Sequence, residues 1–201
     1  VYEKAVLHEC NYNWKTFIEV YLEDYHVGPF HPGLGSSSPV TTCAGSSAAA
    51  PFGADGGRAQ RAAQGRLAGL PALARRGAAS SAAASRPQHG AIWLTYYPTV
   101  MVEWYPHVLV VSTLFPRGPR KTLNLVEFFY PEEIAAFERD FIEAEQAAYM
   151  ETCIEDDEIA ERMDAGRLAL MERGDDEVGP YQSPMEDGMQ HFHEWYRPHR
   201  R

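Results

Sequence analysis

Between residues 11 and 25, Trp14, Phe17, Ile18, Tyr21, Leu22 and Tyr25 recur at three- and four-residue intervals, the spacing of one helical face. Asn13 stands where an N-cap is needed, its side-chain oxygen able to accept from the unpaired donors of the first turn. Gly28 and Pro29 continue a helix poorly, so His31 is expected on a returning loop. Past His89 the period changes to two. Residues 92–97 and 100–105 read as strands joined at Pro98-Thr99. Residues 108–114 and 122–130 read as two more, separated by the Arg117-Gly118-Pro119 turn. In the second strand Val100, Val102 and Trp104 form the more apolar face. Short consecutive strands with tight connections imply an antiparallel meander rather than parallel crossovers. The helical period then returns. Pro131 suits a first helical position, Glu132 and Glu133 suit the first turn, and Ile134, Phe137, Phe141, Ala144 and Ala148 mark an apolar face. A second helix is expected from about Asp156 to Leu170, with Ile159 and Met163 inward. From Gly174 to Arg201 the chain reads as a polar tail anchored by Phe192, Trp195 and Tyr196.

Residues 36–86 break every such pattern. Ala, Gly, Ser and Arg dominate, Phe52 is the one aromatic residue, and six Arg stand against one Asp. As it stands, this is a flexible low-complexity linker. So long an irregular insert is foreign to a compact domain. A second explanation is translation in the wrong reading frame. Codons exist for residues 37–48 whose one-base shift reads Phe-Val-Thr-Cys-Asp-Asp-Leu-Arg-Trp-Gln-Phe-Gly. Residues 51–62 can likewise be recoded to contain Ser-Val-Gln-Thr-Val-Gly-Val-His-Asn-Ala, with strand-like alternation. The chain thus divides into 1–35, the helix and its loop; 36–86, the irregular segment; and 87–201, the sheet, the long helices and the tail.

Composition narrows the function classes. A net charge of −10 over 201 residues lacks the basic footprint of a nucleic-acid binder. Cys10, Cys43 and Cys153 have no paired spacing, so neither a disulfide framework nor a zinc finger is indicated. No apolar run approaches the ~18 residues of a membrane span, and no secretory signal is present. A cytoplasmic protein is expected. Because the chain opens on Val1, its natural N-terminus is expected to lie further upstream.

Candidate chemistry lies just past the first helix, in NYNWKTFIEVYLEDYHVGPFHPGLG. His26 and His31 can converge there, with Glu23 one turn before the first. Two neutral imidazoles and a carboxylate form the facial set that holds Fe(II) and leaves neighbouring positions open. A histidine pair at this spacing is by itself a common core or surface feature, and an acidic run is usually a solvated helix face. The longer match is more specific. The run NWKTFIEVYLEDYHVGPFHPGL resembles the mononuclear-iron motif of the large (alpha) subunit of Rieske-type ring-hydroxylating oxygenases: an acid, two residues, His, four residues, His. Here these positions are Glu23, His26 and His31. By the same resemblance the third ligand is an acid far downstream at a helix start, at Asp156 within Glu155-Asp156-Asp157-Glu158, with Asp157 as the competing neighbour.

The resemblance implies an α+β catalytic domain of helix-grip (START-like) form, an antiparallel sheet packed on long C-terminal helices, here interrupted by the Ala/Gly/Ser/Arg-rich segment. It implies mononuclear Fe(II) on His26, His31 and Asp156. It also implies hydroxylation of an aromatic or related organic substrate with O₂, and electrons from NAD(P)H through a separate reductase or ferredoxin. The 2Fe–2S Rieske cluster would sit in an N-terminal domain missing here, since neither Cys-x-His nor Cys-x-x-His occurs. Glu23 would link the His of a neighbouring subunit's cluster to His26 within a homotrimer, with Asp24 as the lesser candidate. No nucleic-acid or membrane partner is expected. Two alternatives stay open: a helix-grip ligand-binding protein without iron chemistry, and a truncated, frame-disrupted remnant inactive on its own. His191-x-His193 could chelate a metal but is expected to be a packing or surface feature, and His8, His89, His107 and His199 show no partner pattern. Trp104 and Tyr105 are expected in the core.

Overall fold

The computed structural model describes residues 1–23, 25–31, 46–48 (backbone only), 91–175 and 178–199. Asp24, Cys43, Phe52, His89 and all of the irregular segment but 46–48 lie outside the described residues.

Alternation from Val100 onward builds the centre of a six-stranded sheet. Strands β3 (Ile92–Tyr96), β4 (Val100–Trp104), β5 (Leu109–Gly118) and β6 (Lys121–Phe129) pair antiparallel in chain order, as the meander reading requires. Two edge strands were not legible. β1 (Tyr2–Cys10) pairs antiparallel with β6, Cys10 opposite Thr122 and His8 opposite Asn124. β2 (Ser46–Ala48) comes from inside the irregular segment and runs parallel to β3, giving the order β1-β6-β5-β4-β3-β2.

The inner face of the sheet is not the more apolar face of β4. In β4 the buried residues are Met101 and Glu103, while Val100, Val102 and Trp104 are half-buried. The inward row continues through Val110, Ser112 and Leu114 of β5 and Thr122, Asn124, Val126 and Phe128 of β6. Polar groups occupy about half of it, so hydropathy alone chooses the wrong side of β4.

Helix α1 (Trp14–Tyr21) forms as its periodicity dictates. Asn13 caps it, its side-chain oxygen accepting from the Lys15 N–H at 3.0 Å. Ile18 and Leu22 pack on Tyr97, Met101, Leu114, Met189 and Phe192. The opposite flank, at Val20, meets Cys10, Tyr12 and Ala160. Gly28 and Pro29 do not leave a loop: Val27–Phe30 is one short helix, α2, between His26 and His31. Pro is tolerated there because first-turn N–H groups have no intrahelical partner to lose.

The expected pair of C-terminal helices is arranged differently. α3 (Glu132–Phe137) breaks at Glu138, which turns Phe137 out to solvent and leaves Ile134 buried. A single 34-residue helix, α4 (Arg139–Glu172), then runs unbroken through Asp156, so that residue lies mid-helix rather than at a helix start. It ends at Gly174, whose φ of 71° allows the Asp175 N–H to reach the Leu170 carbonyl at 2.9 Å. Within the expected polar tail, Asp187–His199 forms helix α5, and Phe192 is fully buried. His193 lies with its Nε2 2.5 Å from Glu19, which also pairs with Arg167 of α4 at 2.5 Å. The histidine pair near the C-terminus therefore does supply packing, tying α5 to α1.

Candidate metal centre

α1 delivers the chain to Glu23, and the α2 turn carries it from His26 to His31, so one short stretch presents both imidazoles to α4. The rings lie edge to face with centroids 5.2 Å apart. Asp156 Oδ1 is 2.9 Å from His31 Nε2 and 3.3 Å from His26 Nε2. One ligand atom from each of the three residues lies within 4.8 Å of the others. Both histidines are buried and the carboxylate is half-buried.

The far nitrogen of each ring is also held. His26 Nδ1 meets Glu23 Oε1, while Glu23 Oε2 accepts the His26 backbone N–H at 3.3 Å. His31 Nδ1 lies 2.7 Å from Glu155 Oε2. Ionised carboxylates only accept, so both Nδ1 atoms carry protons. In the neutral rings each Nε2 then presents a lone pair. Two nitrogen lone pairs aimed at one carboxylate oxygen repel unless a cation or protons lie between them. The donor set, two imidazoles and one carboxylate with each ring oriented by a second acid, fits a first-row divalent ion.

The electrostatics agree. Burial works against a charge on His26, but the Asp156 and Glu23 carboxylates outweigh it and push its pKa up to about 9. His31 is likewise raised: burial opposes its charge, and Asp156 and Glu155 favour it. For Asp156, burial favours the neutral acid, but its contacts with His26 and His31 hold it below the usual carboxylate range. Metal ions replace such protons on imidazole, so the cluster is a competition site between H⁺ and a cation.

All four residues singled out in the sequence thus meet at one point, with Glu23 outside the ligand trio and against His26. Asp157 points elsewhere, its Oδ2 2.8 Å from His8 Nε2 and its Oδ1 accepting from the Tyr12 hydroxyl at 2.8 Å. Three participants escaped the sequence reading. Glu155 flanks the ligand position, but inside an acidic run nothing distinguishes it. His8 and Tyr12 carry no motif and reach Asp157 only because β1 lies beside α4. Cys10 Sγ is 3.7 Å from His8 Nδ1, and these groups with Asp157 form a second compact cluster. Burial opposes the His8 charge, yet the Asp157 hydrogen bond and Cys10 raise its pKa to about 10, so His8 donates to Asp157 as a cation.

The chain is similar to known proteins in sequence and in fold. Residues 1–199 match the family described as ring hydroxylating alpha subunit (catalytic domain). A putrescine 2-hydroxylase of Bordetella bronchiseptica is 60% identical across 98% of this chain and 46% of its own length. A putrescine 2-hydroxylase of Ralstonia nicotianae is 63% identical across 95% of this chain and 52% of its own. The chain therefore spans about half the length of these relatives. The quaternary ammonium Rieske monooxygenase CntA, solved with an inhibitor, shares the fold at a TM-score of 0.58 and 17% identity, covering 100% of this chain and 49% of that one. A second structure of a quaternary ammonium Rieske monooxygenase gives 0.57 at 17% identity, covering 100% and 51%.

Proposed function

The chain belongs to the ring-hydroxylating alpha-subunit family, and on that premise we propose that it is the catalytic half of a Rieske-type oxygenase that hydroxylates a small aliphatic diamine. The observation that carries the chemistry is the meeting of both Nε2 atoms with Asp156 Oδ1 while both Nδ1 atoms are held by carboxylates. His26, His31 and Asp156 are the residues that would hold ferrous iron, which when bound supplies the open coordination positions for activating O₂. Glu23 and Glu155 keep the ring protons on Nδ1, so that both imidazoles present Nε2 in the neutral form a metal requires. The two curated relatives support a diamine over the aromatic ring expected from the motif alone.

The remaining parts of the reading follow the family. Electrons come from NAD(P)H through a reductase or ferredoxin and a 2Fe–2S cluster carried outside this chain, entering from a neighbouring subunit of a homotrimer. Glu23, buried against His26, is the positioning residue at that entry. The sheet and α4 form a helix-grip domain made chiefly of 1–35 and 87–201, to which the irregular segment 36–86 adds the short edge strand β2. Among the described residues no helix is long and apolar enough to cross a membrane. A ligand-binding protein without iron chemistry would be favoured by histidines that point apart, whereas here both Nε2 atoms lie within 3.3 Å of one carboxylate oxygen.

Anaerobic titration of the purified chain with Fe(II) tests the centre. One ion per chain is expected, with stoichiometric binding lost in His26→Ala and in Asp156→Ala. Equal iron uptake by either variant would overturn the assignment.

A further inference from the structure

Glu103 is a buried acid that the metal centre does not use. It projects from β4 onto the inner face of the sheet, where its Oε2 accepts from the Tyr105 hydroxyl at 2.6 Å and its Oε1 from the Tyr149 hydroxyl at 2.7 Å. Trp93 lies opposite it in the β3–β4 register, and Tyr21 at the end of α1 packs on Trp93 with centroids 5.9 Å apart. The ligand trio is near: along α4, Tyr149, Cys153 and Asp156 follow at helical spacing, and the Asp156 charge is felt at Glu103. The chain therefore places one carboxylate, with Trp93, Tyr105 and Tyr149 around it and Tyr21 against Trp93, near the metal centre.

Among the described residues its charge is uncompensated: no Lys, Arg or His there pairs with Glu103, and burying a carboxylate without a cation is costly. Burial raises its pKa above the usual range, two phenol hydrogen bonds oppose that rise, and the Asp156 charge adds to it. Two hydroxyl donors use about half of a carboxylate's acceptor sites, which leaves room for an ammonium. Tyr and Trp faces complete such a site, since they attract cations and cover methylene groups.

We infer that Glu103, flanked by Trp93, Tyr105 and Tyr149, binds a terminal ammonium of the substrate and so sets which carbon faces the metal centre. The inference rests on the diamine reading above and adds the group that selects the substrate's charge. In a four-carbon diamine the carbon next to one aminomethyl group is only a few bonds from either nitrogen. A carboxylate adjacent to the metal centre can therefore hold one end while an inner carbon is presented.

The test is calorimetric and does not depend on turnover. The Fe(II)-loaded chain is titrated anaerobically with 1,4-diaminobutane, 1-aminobutane and 1,4-butanediol. Native chain should bind the diamine and the monoamine and reject the diol. Glu103→Gln should weaken diamine binding by about 10- to 100-fold, the scale of a hydrogen bond to a charged group, with iron stoichiometry unchanged. Tyr149→Phe, which keeps the carboxylate and the ring, should retain the preference for amines over the diol, separating loss of charge from loss of packing. Diamine binding by Glu103→Gln equal to that of native chain overturns the role of Glu103 and leaves the diamine reading intact. Failure of the native chain to bind either amine overturns both.

Discussion

His26 and His31 are oriented by acids of different origin. Glu23 lies three residues before His26 in the same local stretch, whereas the acid on His31 arrives from 124 residues away. Glu155 and Asp156 are consecutive on α4, yet one reaches Nδ1 and the other Nε2 of the same ring. Successive helical side chains diverge by about 100°, so neighbouring acids can straddle an imidazole. The second acid therefore does more for the His31 ring than ordinary surface charge would. Glu155→Ala is expected to lower Fe(II) affinity by about 10- to 100-fold, the usual effect of removing a partner that orients a metal-bound histidine. Glu23→Gln, which keeps an acceptor for His26 Nδ1, is expected to leave iron bound and to slow electron-coupled turnover in the protein that also carries the cluster. A competition assay with a chromogenic Fe(II) chelator separates the two. Equal affinity in native chain and Glu155→Ala would remove Glu155 from the site. Full coupled turnover in Glu23→Gln would remove Glu23 from the electron route.

α4 explains both what the sequence revealed and what it concealed at the scale of an element. Its buried stripe runs through Ile142, Glu145, Gln146, Ala160 and Asp164, with Tyr149, Cys153 and Asp156 between them. The spacing is helical throughout, but the residues facing inward are largely polar, so a search for apolar periodicity divides one helix into two. The four central strands and the Asn13 cap were legible because ordinary packing and capping decide them. β1 was not, since only Val6, His8 and Cys10 face inward along its nine residues and its outer face carries Leu7. Polar burial on α4 also has a thermodynamic signature. Glu145 accepts from the Tyr130 hydroxyl, but burial dominates and raises its pKa from 4.5 to about 7. Between pH 4.5 and 7 the folded chain thus holds a proton that the unfolded chain has released. Stability from this group is intact below pH 4.5 and declines as pH rises through 7. Glu145→Gln should raise the urea midpoint relative to native chain at pH 8 and change it little at pH 4.5. An equal shift at both values would show that ionisation of Glu145 is not the cause.

The whole molecule joins two stretches that the sequence holds far apart. His26 and His31 precede the irregular segment and Asp156 follows the meander, so the centre forms only when β1, α1 and α4 assemble. Among the described residues, α1 is bound to α4 by direct contacts: the Thr16 hydroxyl and the Asn13 N–H both donate to Asp164, and Arg167 pairs with Glu19. The described part of that segment, Ser46–Ala48, sits at the far edge of the sheet against β3. A shifted reading frame would therefore leave the ligand set intact while altering what is built next to β3. If the frame is displaced, the gene should carry codons over residues 37–62 whose one-base shift opens into alternating apolar and polar residues. A chain re-encoded in that register should then unfold at higher urea, because its strand-like alternation offers β3 a partner with an apolar face. Its Fe(II) stoichiometry should remain that of the present chain, since none of Glu23, His26, His31 and Asp156 lies within the altered residues. Codons that admit no such shifted reading would dismiss the displacement outright. A re-encoded chain that gained iron binding absent from the present one would instead show that the segment supports the centre.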